Sequence, residues 1–215
     1  MNSFIDYLKL NKYFLSLFLV YLLTTSIYIL STPKGAFLLW LNSLNNSFLD
    51  YFFYYFTFVG DGLFVIALAL IFTLFNYKNA INLFTIYAIS GLLAQLLKVI
   101  FNTPRPKAYF EGIKTLHLLP WVNVYSTYSM PSGHTTTAFA LAFFLSTVIT
   151  NKIYQTMFFI LAIIVALSRV YLCQHFPEDT IVGAFIGISI AIICDYYFGS
   201  YLTSKEKFSK GILRK

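Results

Sequence analysis

Three short segments of this chain hold nearly every residue type that phosphoryl transfer requires: Lys98 to Pro106 (KVIFNTPRP), Pro131 to His134 (PSGH) and Ser168 to Asp179 (SRVYLCQHFPED). Arg105 and Arg169 can each present paired donors to phosphate oxygens, and Lys98 adds a compact positive charge. In PSGH, Pro131 fixes the approach to a helix, Ser132 caps it, and Gly133 lets backbone come close. The N–H groups exposed at such a helix start attract anions and stabilise charge on a transferring phosphoryl group. Pro177 suits the first turn of a later helix, which sets His175 just outside it, with Asp179 near enough to accept from one imidazole nitrogen. The other nitrogen is then free to attack phosphorus.

The elements that must position these residues are apolar. Of 215 residues, 59% are hydrophobic, 20% aromatic and only 11% charged, and the mean hydropathy is +0.73. This is the composition of an integral membrane protein. The expected fold is an all-α bundle of six transmembrane helices: Tyr13 to Leu30, Gly62 to Tyr77, Ala80 to Phe101, His134 to Ile149, Ile153 to Leu172 and Thr180 to Tyr197. The second and fourth are short against the roughly 20 residues a crossing takes. No repeat, Pro-rich linker or low-complexity segment divides the chain, so residues 1–215 read as one domain.

Basic residues set the orientation, because short loops rich in Lys and Arg stay cytoplasmic. With the N-terminus inside, that side receives Lys9, Lys12, Lys78, Lys152, Lys205, Lys207, Lys210, Arg214 and Lys215. The other side receives Lys34, Lys98, Arg105, Lys107, Lys114 and Arg169, three of which belong to the motifs. The net charge of +7 is thus mostly topology signal, with no basic stripe calling for nucleic acid. The expected location is a bacterial inner membrane, both termini cytoplasmic and the motifs on the outer face.

Outside the spans, Ala36 to Val59 repeats Trp40, Leu44, Phe48, Phe52 and Phe56 at four-residue intervals, the pattern of an interfacial helical segment broken near Asn45 and Asn46. Asp61 in the Gly-Asp-Gly step after it reads as a helix cap in preference to a catalytic group. Trp121, Tyr125 and Tyr128 in the loop from Asn102 to Met130 read as headgroup-level anchors. His117 in that loop reads as solvated. Cys173 and Cys194 stand too far apart in depth for a disulfide and read as packing residues.

Topology brings Lys98, Arg105, Ser132, His134, Arg169, His175 and Asp179 to one membrane face. Cations so close repel one another unless an anion sits among them. The segments resemble the signature of the type 2 phosphatidic acid phosphatase superfamily, K-x6-R-P, P-S-G-H and S-R-x5-H-x3-D, at every fixed position, within a motif region of residues 98–183. The resemblance implies that His175 is the nucleophile of a phosphohistidine, that Asp179 supports it and that His134 is the general acid. It implies too that Lys98, Arg105, Ser132, Gly133 and Arg169 hold the phosphate, with no cofactor and no metal. The implied substrate is a membrane lipid phosphate or pyrophosphate of the undecaprenyl pyrophosphate, phosphatidylglycerol phosphate or phosphatidic acid class. A lipid phosphotransferase or a lipid A phosphatase on the same mechanism is the alternative.

Two other classes predict different patterns. A transporter places ionisable groups near the bilayer midplane, whereas here they crowd at one surface. A noncatalytic binder of anionic lipid uses Lys and Arg but has no need of two histidines and a partner carboxylate.

Overall fold

The computed structural model describes residues 3–205 and 208–213. Lys207, Arg214 and Lys215 of the basic tail lie outside the described residues. In chain order the helices are α1 (Phe4–Leu10), α2 (Lys12–Ser31), α3 (Ala36–Ser43), α4 (Ser47–Phe56), α5 (Gly62–Phe75), α6 (Tyr77–Phe101), α7 (Pro106–Tyr109), α8 (Gly133–Val148), α9 (Lys152–Tyr171), α10 (Pro177–Cys194) and α11 (Ser200–Thr203). A 3-10 turn, Thr57–Gly60, joins α4 to α5, and a π-turn, Asp195–Gly199, joins α10 to α11.

The polar residues between the apolar runs start the helices. Asn46 accepts from Leu49 N at the head of α4 (3.0 Å), Asp61 from Leu63 N at α5 (2.8 Å), Asn76 from Asn79 N at α6 (3.1 Å) and Asn151 from Ile153 N at α9 (2.8 Å). Each such cap contributes about 1 kcal/mol by satisfying a donor that the helix leaves open. The Asn45–Asn46 step breaks the Ala36 to Val59 segment into α3 and α4, at the position the sequence suggests.

Among the described residues four helices are long and apolar enough to cross a membrane: Lys12–Ser31, Tyr77–Tyr109, Lys152–Tyr171 and Pro177–Thr203. The pair Ser47–Gly60 and Gly62–Phe75, bent by 52°, brings the number to as many as five. Of the six expected crossings, α5 with 14 residues counts only when joined to α4, and α8 falls short on length, with 16 residues or about 24 Å at the helical rise. Its burial explains how it can be short. Eleven of its residues are buried, so α8 is surrounded by protein and need not match the bilayer.

Around α8 the bundle closes on aromatic rings. Phe14 of α2 meets Phe143 edge-on at 5.7 Å and Phe159 of α9 at 5.5 Å, and Phe139 meets Phe159 at 6.0 Å. On the other side α10 lies against α8 backbone to backbone. A Cβ on Gly183 would stand 2.6 Å from Ser132 O, and one on Gly187 would collide with Thr136 O. Small residues four apart are how membrane helices gain van der Waals contact without a hydrophobic drive. The same contact brings the first turns of α8 and α10 together, and Ser132 N donates to Asp179 O at 3.0 Å.

A second apolar cluster, with Leu38, Phe53, Phe110, Tyr171 and Phe176, closes the site end of the bundle. The expectation of a solvated His117 fails there. Its Nε2 lies 3.0 Å from Asp50 Oδ1, which also accepts from Tyr171 OH at 2.6 Å. Its backbone N–H donates to Asn42 Oδ1 and its carbonyl accepts from Asn42 Nδ2, both at 2.9 Å. The long loop is thereby tied to α3, α4 and α9. Cys173 and Cys194 are free and buried, as packing residues should be. Burial pushes the Cys173 thiol up to about 12.

Candidate active site

The turn after α9 carries His175, and its shape follows from how the helix ends. Gln174 N donates to Arg169 O at 3.0 Å and Cys173 N to Val170 O at 3.0 Å, with Cys173 left-handed at φ 53°. These are the two bonds of a Schellman cap. His175 N also reaches Arg169 O, at 3.1 Å, so the reversal folds the imidazole back beside the guanidinium that the helix end presents. Pro177 then opens α10.

Asp179 is 2% exposed, and its Oδ2 accepts from Phe176 N (2.8 Å) and Ser129 Oγ (2.5 Å). His175 Nδ1 lies 3.6 Å from the same oxygen. The expected imidazole–carboxylate hydrogen bond is therefore not made: the oxygen is already occupied by two shorter donors, and the pair interacts through charge. His175 Nδ1 is buried with no hydrogen-bond partner. Burial, and then the charges of Arg105, Arg169 and Lys98, hold the His175 imidazole well below its usual range.

The cations come from three elements. Lys98 lies one turn from the end of α6, and a Cβ on Gly133 would stand 4.0 Å from its Nζ. Arg105 is 7% exposed. Its Nε donates to Thr127 O (2.9 Å), its Nη1 to Gln174 O (3.1 Å) and Oε1 (2.9 Å). Arg169 donates from Nη1 to Thr57 Oγ1 at 2.8 Å, while its Nε is buried without a partner. Charges on Arg105 and Arg169 act on Lys98, and those on Arg169, Lys98 and Arg105 act on His134. Ser132 caps α8, accepting from Thr135 N at 3.4 Å and Thr135 Oγ1 at 2.9 Å.

All eight residues singled out in the motifs thus meet at one end of the bundle. Three cations, two imidazoles and an anion-attracting helix start can hold a phosphate, and the unpartnered N–H of Arg169 is a donor of the kind an anion satisfies. Ser129, Thr57 and Gln174, which hold Asp179, Arg169 and Arg105, were not singled out in the sequence. They lie outside the motif positions, or between them, and no spacing rule marks them. Among the described residues no three His, Cys, Asp or Glu form a group able to hold a metal.

Below the cations a cavity of about 550 Å³ opens between α5, α6 and α8, lined by Gly60, Tyr87, Gly91, Gln95, Lys98 and His134 among others. It exists because α5 stops early. With 14 residues against the 25 of α6, it is about 21 Å long against about 37 Å, leaving one wall of upper α6 uncovered.

Comparison with known proteins agrees with this geometry. The chain is 28% identical over 190 residues to the lipid A 4'-phosphatase of Porphyromonas gingivalis, covering 84% of this chain and 78% of that one. It is 35% identical over 105 residues to the lipid A 1-phosphatase of Rhizobium etli, covering 49% of this chain and 44% of that one. The crystal structure of Aquifex aeolicus LpxE superposes with a TM-score of 0.68 at 29% identity, over 76% of this chain and 95% of that one. The model of the PAP2 superfamily matches residues 79–201, from the head of α6 to the end of the bundle and through the whole cluster of cations and imidazoles; the chain belongs to the PAP2 superfamily.

Proposed function

We propose that this integral-membrane phosphatase of the PAP2 superfamily removes a phosphate from a lipid A-type saccharolipid, through a phosphohistidine on His175. The reading rests on one observation: His175, His134 and Asp179 converge with Lys98, Arg105 and Arg169, and Lys98 and His134 of this cluster line a cavity between α5, α6 and α8. The relatives named as lipid A phosphatases support the substrate class, and the motif match supports the phosphatase chemistry.

In the proposed route Lys98, Arg105, Arg169 and the N–H groups at the start of α8 hold the phosphate oxygens. His175, neutral, attacks phosphorus through Nε2 while Asp179 faces its Nδ1. The bond from phosphorus to the leaving oxygen breaks as His134 gives that oxygen a proton. Water, losing a proton to His134, then attacks the phosphohistidine, releasing inorganic phosphate and restoring both histidines. The chain is further proposed to make six crossings, α8 among them, with both termini cytoplasmic and the site on the outer face of an inner membrane. Lys9 in α1, Lys12 at the start of α2, Lys78 at the start of α6, Lys152 at the start of α9 and Lys205 and Lys210 after α11 support that orientation.

Phosphate release in detergent with chelator present tests the reading on a panel of lipid A 1- and 4'-phosphates, phosphatidylglycerol phosphate, phosphatidic acid and undecaprenyl pyrophosphate. Release should be greatest from a lipid A phosphate and should fall by at least about 10³-fold in His175→Ala, as expected when a nucleophile is removed. Equal release by His175→Ala would sink the route. A preference for another lipid in the panel would sink the substrate assignment alone.

A further inference from the structure

The two carboxylate oxygens of Asp61 face different partners. Oδ1 accepts from Leu63 N at 2.8 Å and caps α5. Oδ2 lies 3.7 Å from His134 Nε2. Gly60 makes this approach possible: a Cβ there would stand 2.6 Å from Val165 Cγ1 and 2.7 Å from the carbonyl oxygen of His134. A residue with any side chain would push the turn, and Asp61 with it, away from α8. Capping occupies one oxygen and leaves the other beside the imidazole.

The charges facing His134 come from every element around it. Arg169 contributes from α9, Lys98 from α6 and Arg105 from the start of α7, while the neutral His175 imidazole faces it from the turn after α9. A proton on His134 adds one more positive charge to a set that already holds three cations, and this is unfavourable before phosphate arrives. Among the described residues Asp61 is the carboxylate within 4.0 Å of His134, at 3.7 Å, and pairs with it by charge only when the imidazole is protonated; a negative charge at that distance opposes the repulsion.

We infer that Asp61 is a positioning residue for the phosphatase reaction, keeping His134 protonated and oriented until it gives its proton to the leaving oxygen. The inference rests on the role of His134 proposed above. The proton travels from His134 to the leaving group as the phosphorus–oxygen bond breaks, and returns from water in the second half of the cycle. Asp61 also acts on Arg169, which gives it a competing role as counter-charge to a phosphate-holding guanidinium. The two roles differ in what they change.

Asp61→Asn separates cap from charge, because Asn caps a helix about as well as Asp. Asp61→Ser is a second variant of the same kind. In the full chain in detergent both should melt within a degree or two of the parent. A general acid works only while protonated, so removing the carboxylate should move the alkaline limb of kcat to lower pH. A move of half to one unit lowers the rate above that limb by roughly 3- to 10-fold. An alkyl-bearing nitrophenyl phosphate, whose leaving group needs no proton, should change by less than about twofold. Asp61→Asn added to His134→Ala should slow the reaction no further. A pH profile superimposable on the parent's, or a higher KM with kcat unchanged, overturns the inference and leaves the function standing. Unchanged lipid hydrolysis by His134→Ala overturns the role of His134 and this inference with it.

Discussion

His175 is 2% exposed, and its Nδ1 makes no hydrogen bond. Its protonation state is therefore governed by burial first and then by Arg105, Arg169 and Lys98, all of which disfavour the imidazolium. A nucleophile needs its lone pair, so activity is lost when His175 gains a proton. With the imidazole held well below 6.5, the acid limb of kcat/KM should lie below pH 6.5. Lys98→Met removes one of the opposing charges and should shift that limb upward while lowering kcat/KM; profiles of the two proteins over pH 4 to 9 check it. A limb that stays put or moves down contradicts the electrostatic account. The eight motif residues were legible in the sequence because their types and intervals already imply phosphate chemistry. The groups that hold them were not. Ser129 reaches Asp179 across 50 residues and Thr57 reaches Arg169 across 112, and nothing in a single sequence ties such partners together. Asp61 was half legible: the capping role follows from the Gly-Asp-Gly step, whereas its second oxygen matters only once Gly60 brings the turn against α8.

Helix ends show the same division. Asn102, left-handed at φ 41° with its N–H on Lys98 O, stops α6 where the sequence suggests. The Schellman cap of α9 was hidden because Cys173, not Gly, takes the left-handed position. The short helices were recognised as short, but the reasons differ and only the fold supplies them: α8 is enclosed by protein, and α5 leaves a wall of α6 open. The contact between α8 and α10 is what brings PSGH against the Asp179 turn, and it depends on Gly187. Gly187→Ala should force the two backbones apart, since its Cβ would meet Thr136 O and lie 3.1 Å from Ala140 N. Overpacking of this kind costs about 1–3 kcal/mol. Gly91→Ala, in the interior of α6 with nothing within 4 Å of its Cβ, should instead be stabilising by about 0.5–1 kcal/mol. Thermal unfolding in one detergent compares them. Equal melting temperatures would mean that the glycine contact does not set the helix spacing.

The whole molecule presents an exposed apolar surface along its long helices, with Leu23 and Ile27 of α2, Leu92 and Val99 of α6 and Ile160 of α9 all uncovered, while its charged site is largely closed. Hydropathy made the membrane setting legible. It did not reveal how a substrate with acyl chains meets buried cations. The Ala36 to Val59 segment, read from the sequence as interfacial, folds into α3 and α4 and helps to close the site end through Leu38, Asn42, Asp50 and Phe53. The open side is the wall of α6 that α5 does not cover, where Gly91 and Gln95 line the cavity below Lys98 and His134. If lipid substrates arrive there, a large side chain on that wall should exclude them without touching the chemistry. Gly91→Trp should therefore raise KM for a long-chain lipid phosphate by at least about tenfold, roughly 1.4 kcal/mol of lost binding. A short-chain phosphate ester, which needs no room along α6, should keep kcat/KM within about twofold. The pair of substrates is measured on one preparation, so a folding defect would lower both. Equal losses would place the route elsewhere, and unchanged kinetics on the long-chain lipid would show that the cavity is not how acyl chains reach the site.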